Sequence, residues 1–190
     1  MILTLCGEPT KRIKISTEKQ EPPIIISFLP GIVETQNAIK CGEIINYKLS
    51  SFKIDTIFID SLIIKDIIHQ IENLKTYSNN DSLFPGCDVR IDCRIIDKNN
   101  IPTKLCIGQF NCILRDGHLK AKNDTLIYLI RKYSGYYNFI SKKDLAFYFD
   151  EIKQFGIPSN YKDLTPKKNP EGFTIPPLKE ACMVILQYTK

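Results

Sequence analysis

The sequence predicts a single α+β domain over residues 1–190, an antiparallel β-meander sheet covered by three helices. Three observations carry this reading. Apolar and charged residues alternate with period two near 88–96, the apolar spacing turns helical near 61–76, 124–134 and 142–155, and turn-forming pairs separate these segments. With 43% hydrophobic residues, a chain of 190 residues can bury a substantial core.

If Met1 is the start, Met1 to Leu5 reads as a first strand. Residues 24–28 form a short apolar run between Pro22-Pro23 and Pro30-Gly31, and 43–60 are rich in β-branched and aromatic residues, so both supply N-terminal strands. From Asp60 the period changes. Ile63, Ile64, Ile67, Ile68, Ile71 and Leu74 fall on one helical face, Lys65, Asp66, Gln70 and Glu72 on the other, and Asp60 or Ser61 can cap the first amides. A loop follows over 77–86, where Ser78-Asn79-Asn80-Asp81 and Pro85-Gly86 supply turn chemistry.

Val89, Ile91, Cys93 and Ile95 alternate with Asp88, Arg90, Asp92 and Arg94, the pattern of a strand with one buried face. Residues 104–114 read as its partner. Asp116-Gly117 tolerates the positive φ angles of a tight hairpin, which leads into a third strand over 118–122. Asn123 or Asp124 then caps a helix over Leu126, Ile127, Ile130 and Tyr133, and Gly135 ends it. Ser141, with Asp144 three residues later, has the form of a capping box and opens a helix through Leu145, Tyr148, Phe149 and Ile152 to Gly156. Residues 158–177 are polar and proline-bearing, a loop or strap, whereas 181–188 fit either a strand or a buried helix.

The sharpest chemical pattern is Cys87-x5-Cys93-x12-Cys106-x5-Cys112, which is symmetric about Asn99-Asn100. A two-residue turn there pairs Cys93 with Cys106 and Cys87 with Cys112 on non-hydrogen-bonded sites, where opposed Cα atoms lie about 4.5 Å apart, within disulfide reach. A three-residue loop instead sets Cys93 against Leu105. The first register is favoured because Cys87, Val89, Ile91 and Cys93 then share a face with Cys106, Gly108, Phe110 and Cys112, which is free of strongly polar side chains. In a reducing compartment these cysteines act as small core residues, and in an oxidising one as disulfides. A metal centre is not expected, since five intervening residues in a strand separate two thiols by about 20 Å and no C-x-x-C occurs.

Cys6 follows the apolar Ile2-Leu3-Thr4-Leu5 and precedes the polar Gly7-Glu8-Pro9-Thr10-Lys11-Arg12, which resembles the tail of a bacterial lipoprotein signal around its lipidated cysteine. Leu5 departs from the small residue usual before that cysteine, and no basic start precedes it. The resemblance implies lipid attachment at Cys6 and the cell envelope, provided that the true start lies upstream. If Met1 is the start, the expectation is a cytoplasmic protein with no membrane contact.

The charge of +5 comes from 26 basic and 21 acidic residues that are interspersed, which disfavours a nucleic-acid partner. Only two histidines, His69 and His118, are present, and neither lies in a metal-binding or nucleophile-associated motif. G-x-S-x-G, H-E-x-x-H, P-loop and G-x-G-x-x-G are all missing. No catalytic residue, metal ligand or cofactor is therefore assigned.

Ten of the 19 aromatics lie between Tyr128 and Tyr161. Because Phe147, Tyr148 and Phe149 are consecutive, one helix face cannot bury all three. Tyr136-Tyr137, beside a helix-ending glycine and near Arg131, Lys132, Lys142 and Lys143, reads as an exposed surface suited to another protein or peptide. The sequence points to a non-enzymatic binding or interaction domain, in an envelope lipoprotein or an immunity-type partner binder. A small thiol-dependent enzyme and a weak nucleic-acid-binding module are the alternatives.

Overall fold

A computed structural model describes residues 24–29, 38–44, 51–77, 86–96, 102–165 and 180–188. Met1 to Leu5, Cys6, the Asn99-Asn100 hairpin tip and residues 166–177 of the strap lie outside these segments. The elements are β1 (Ile24–Phe28), β2 (Ser51–Ile59), α1 (Ser61–Glu72), β3 (Val89–Ile96), β4 (Pro102–Gly108), β5 (Ile113–Arg115), β6 (His118–Lys120), α2 (Asp124–Ser134), a 3-10 turn (Tyr136–Phe139), α3 (Lys142–Tyr148), α4 (Asp150–Phe155) and β7 (Glu180–Tyr188). The fold is α+β, an open sheet in the order β2-β7-β1-β3-β4-β5-β6, with every pairing antiparallel except β2 with β7. None of the described helices is long and apolar enough to cross a membrane.

Residues 181–188 are a strand, β7, seated between β1 and β2. Its Cys182, Val184 and Leu186 fall on the same sheet face as Ile24, Ile26 and Phe28 of β1, and Ile91, Cys93, Leu105, Ile107 and Ile113 continue that face. Ile64, Ile67 and Ile71 of α1, Leu126, Ile127 and Ile130 of α2, and Leu145 and Ile152 pack onto it. Asp60 caps α1 by accepting from Leu62 N at 2.8 Å, and Arg115 closes its other end by donating to Ile71 O at 2.8 Å. Asn123 accepts from Leu126 N at 3.0 Å, and Gly135 ends α2 in the left-handed conformation.

Three expectations change. Asp92 lies opposite Cys106 and Cys93 opposite Leu105, so the hairpin takes the register of the three-residue loop. The cause is hydrophobic: this register gathers Ile91, Cys93 and Ile95 with Leu105 and Ile107 under the helices, whereas a one-residue slip would set Lys104 against Ile95 on that face. Residues 104–114 are also not one strand. Asn111 adopts φ 61°, and Gly108 N donates to Cys112 O at 2.9 Å, which turns the chain between β4 and β5.

The helix expected over 142–155 likewise divides. Phe149 is extended, with φ −117° and ψ 102°, and α4 restarts at Asp150. Residues two apart in a continuous helix point about 200° apart, and the break at Phe149 lets both Phe149 and Glu151 face inward.

The turn at 109–112 brings Cys112 back over Gly108, where it forms a disulfide with Cys87. A Cβ on Gly108 would lie 2.3 Å from Cys112 Sγ and 2.8 Å from Cys87 Sγ. Gly108→Ala is expected to destabilise the oxidised protein by roughly 1–3 kcal/mol in urea unfolding. The same change should cost far less in a Cys87→Ala/Cys112→Ala background. Equal penalties in both backgrounds would mean that the sulfurs are not what excludes a side chain there.

Candidate functional site

Arg131, Tyr136 and Tyr137 do not form an exposed surface. Arg131 is 0% exposed and the two tyrosines 1% each, all within the core beneath the helices. What draws them inside is a polar network. Arg131 Nη1 forms an ion pair with the equally buried Glu151 and donates to Asn111 Oδ1 at 2.8 Å, while Nη2 donates to Gly108 O at 3.1 Å. Glu151 also accepts from Tyr137 OH at 3.0 Å and from Asn111 Nδ2 at 3.1 Å.

The guanidinium lies over the rings of Tyr136 and Phe149, with 5.4 and 4.9 Å to the centroids. Burial, the largest influence, pulls the Arg131 pKa down, but the Glu151 charge, Tyr136, Tyr137 and the hydrogen bond to Glu151 together outweigh it, so Arg131 stays cationic. Burial first and the Glu151 charge second push the Tyr137 hydroxyl above its ordinary range, so it remains a neutral donor. Each Glu151 oxygen faces a donor from this cluster, while Arg131 Nε is buried without a hydrogen-bond partner.

The remaining residues of that expected surface separate. Lys132 is half-buried over Tyr128 and Tyr133, at 5.7 and 5.1 Å. Lys142 and Lys143 are exposed in the first turn of α3, whose start Ser141 caps by accepting from Asp144 N at 3.2 Å. From the same helix project Phe147, 72% exposed, and Tyr148, 57% exposed, with ring centroids 4.8 Å apart and planes at 81°. Phe149 is buried. Lys143, Asp144, Ala146, Phe147 and Tyr148 line a shallow pocket. The three consecutive aromatics signalled that some ring must face out, but which one depends on the break at Phe149.

Cysteine pairing keeps Cys87 with Cys112 but departs from the symmetric pattern at the other pair. Cys106 bonds to Cys41, 65 residues away, rather than to Cys93. The register explains this: Cys106 points away from the helices, toward Leu29, Ile39 and Ile44 on the opposite sheet face, while Cys93 points into the main core. Cys93 and Cys182 are buried thiols, and burial pushes the Cys93 pKa far up, so it is a poor nucleophile. Among the described residues, one group has its donor atoms close enough for a metal, with those of Cys41, Asp92 and Cys106 all within 4.8 Å of one another. Two of these donors are tied up in the disulfide. His69 and His118 are exposed, and neither belongs to this group.

Removing either member of the buried pair strands the other charge. Arg131→Met or Glu151→Leu alone is expected to cost about 3–5 kcal/mol in guanidinium unfolding, and the double variant much less than the sum. A loss from either single variant no larger than that of the exposed Lys143→Ala would remove the pair from the stability of the fold. No protein-family model, curated protein or solved structure matches this chain.

Proposed function

We propose that the chain is a protein-binding domain that docks its partner on α3 through Phe147 and Tyr148, with Lys142 and Lys143 at the rim. The exposure of two adjacent rings carries this reading. A monomeric surface leaves large aromatics in water at a cost of roughly 1.5–3 kcal/mol per side chain, and covering them recovers it. Aromatic side chains are enriched at interface centres, and polar side chains such as these lysines fit the solvent-accessible rim. The helix that carries the rings is held in place. Ser141 fixes the start of α3, and Leu145 and Phe149 anchor it to the core, so little order remains to be lost on binding.

The pair meets edge to face, which leaves no parallel platform for successive bases. This favours a protein or peptide over a nucleic acid. The disulfides Cys41–Cys106 and Cys87–Cys112 suit an oxidising compartment, in line with an envelope protein, and contribute on the order of 4 and 3.5 kcal/mol by their loop lengths.

Phe147→Ser/Tyr148→Ser should leave the melting temperature within about 2 °C of the parent, since neither ring supports the core. Proteins captured by the parent chain from its own source, and lost with the double variant, would be purified and titrated by calorimetry. The double variant is expected to weaken their binding roughly tenfold or more. A partner whose affinity is unchanged by the double substitution would remove α3 as the docking surface.

A further inference from the structure

We propose that Cys41–Cys106 is a thiol–disulfide exchange site for dithiol reductants, in which Cys41 Sγ is the sulfur attacked and Asp92 protonates the departing Cys106 sulfur. Three features of the geometry converge on this assignment. The first is asymmetry of access: Cys41 is partly exposed on the 38–44 segment, while Cys106 is fully buried in β4. Residue burial therefore favours attack by an incoming thiolate at Cys41 over the sealed Cys106.

The second feature is the carboxyl group. Asp92 Oδ1 lies 2.8 Å from Cys106 Sγ. While the disulfide is intact that sulfur carries no hydrogen, so any proton between the two atoms belongs to Asp92. Burial raises the Asp92 pKa, against the lowering effects of the Gly42 and Ile44 backbone amides and of the Lys104 and Arg94 charges. The carboxyl is thus better able to hold a proton than an ordinary aspartate.

The third feature is rigidity. Gly42 N donates to both Asp92 oxygens, at 3.0 and 3.2 Å, and so binds the carboxyl to the segment that carries Cys41. Val89 N donates to Ile39 O at 2.9 Å and Ile39 N to Asp88 Oδ1 at 3.0 Å, which holds that segment on the sheet when the sulfurs part. At the disulfide Cys87–Cys112, the contact among the described residues is instead Cys87 Sγ to Cys112 O at 3.8 Å.

The step balances as follows. The thiolate of a dithiol bonds to Cys41 Sγ, the Cys41–Cys106 bond breaks, and its electron pair passes to Cys106 Sγ, which takes the proton from Asp92. The second thiol of the reductant, deprotonated by solvent, then attacks the sulfur bound to Cys41. It leaves as a cyclic disulfide, and Cys41 is protonated from water. The protein gains two electrons and two protons, the dithiol is oxidised, and Asp92 recovers its proton from solvent. Its carboxylate accepts the new Cys106 S–H in the interval.

Limiting dithiothreitol at neutral pH, followed by acid quench, alkylation and peptide mass mapping, follows each disulfide separately. Asp92→Asn keeps an acceptor for Gly42 N but cannot give up a proton. It is expected to slow reduction of Cys41–Cys106 by roughly 10- to 100-fold and to leave Cys87–Cys112 unchanged. An unslowed Cys41–Cys106, or an equal change at both disulfides, overturns the proposal. The unaltered protein provides a second test: a monothiol adduct trapped on reduction of this disulfide should map to Cys41, and an adduct on Cys106 would overturn the assignment.

Discussion

A guanidinium sealed from water must find a matching charge and acceptors inside the protein, and Arg131 finds them on three separate pieces of chain. Glu151 comes from α4, Asn111 from the turn between β4 and β5, and the Gly108 carbonyl from the end of β4. Each of these pieces takes a shape that local propensity does not demand. The helical run breaks at Phe149 so that Glu151 can face inward, and Asn111 adopts a positive φ that brings its amide between the two charges. Tyr136 and Tyr137 follow, since one lies under the cation and the other donates to the anion.

The same turn links this network to the sulfurs. By reversing the chain after Gly108, it carries Cys112 onto Cys87, and Gly108 leaves the space that the disulfide occupies. The sheet thus has two different faces. One is a broad apolar surface under the helices, and the other a smaller patch where Cys41, Cys106, Asp92 and the 38–44 segment meet. The recognition surface proposed on α3 depends on the first, because the inward pull on Leu145 and Phe149 is what turns Phe147 and Tyr148 outward.

Much of the fold was legible because it rests on short-range pattern. The alternation at Val89 to Ile95, the helical spacing from Ile63 to Leu74, and the caps at Asp60, Asn123, Gly135 and Ser141 are local signals with local causes. The candidate surface was legible only in part. Three consecutive aromatics require an outward ring, but Tyr136 and Tyr137 look equally available until a buried cation is placed beside them. An arginine at position 131 reads as surface in a sequence, since nothing within its own helix supplies its counter-charge. Glu151 lies 20 residues away, across the break.

The sequence by itself determined the α+β class, the turns, the helix ends and the presence of cysteines that can meet across strands. It also held the choice of hairpin register, because Leu105 and Ile107 belong with Ile91 and Cys93, yet a face free of strongly polar side chains pointed to the other alternative. Tertiary structure decided which cysteine meets which. Cys41 reaches Cys106 over 65 residues because the 38–44 segment folds onto the face opposite the helices. Pairing across such distances depends on how the faces of the sheet are covered, and that is a property of the assembled core rather than of any window of sequence.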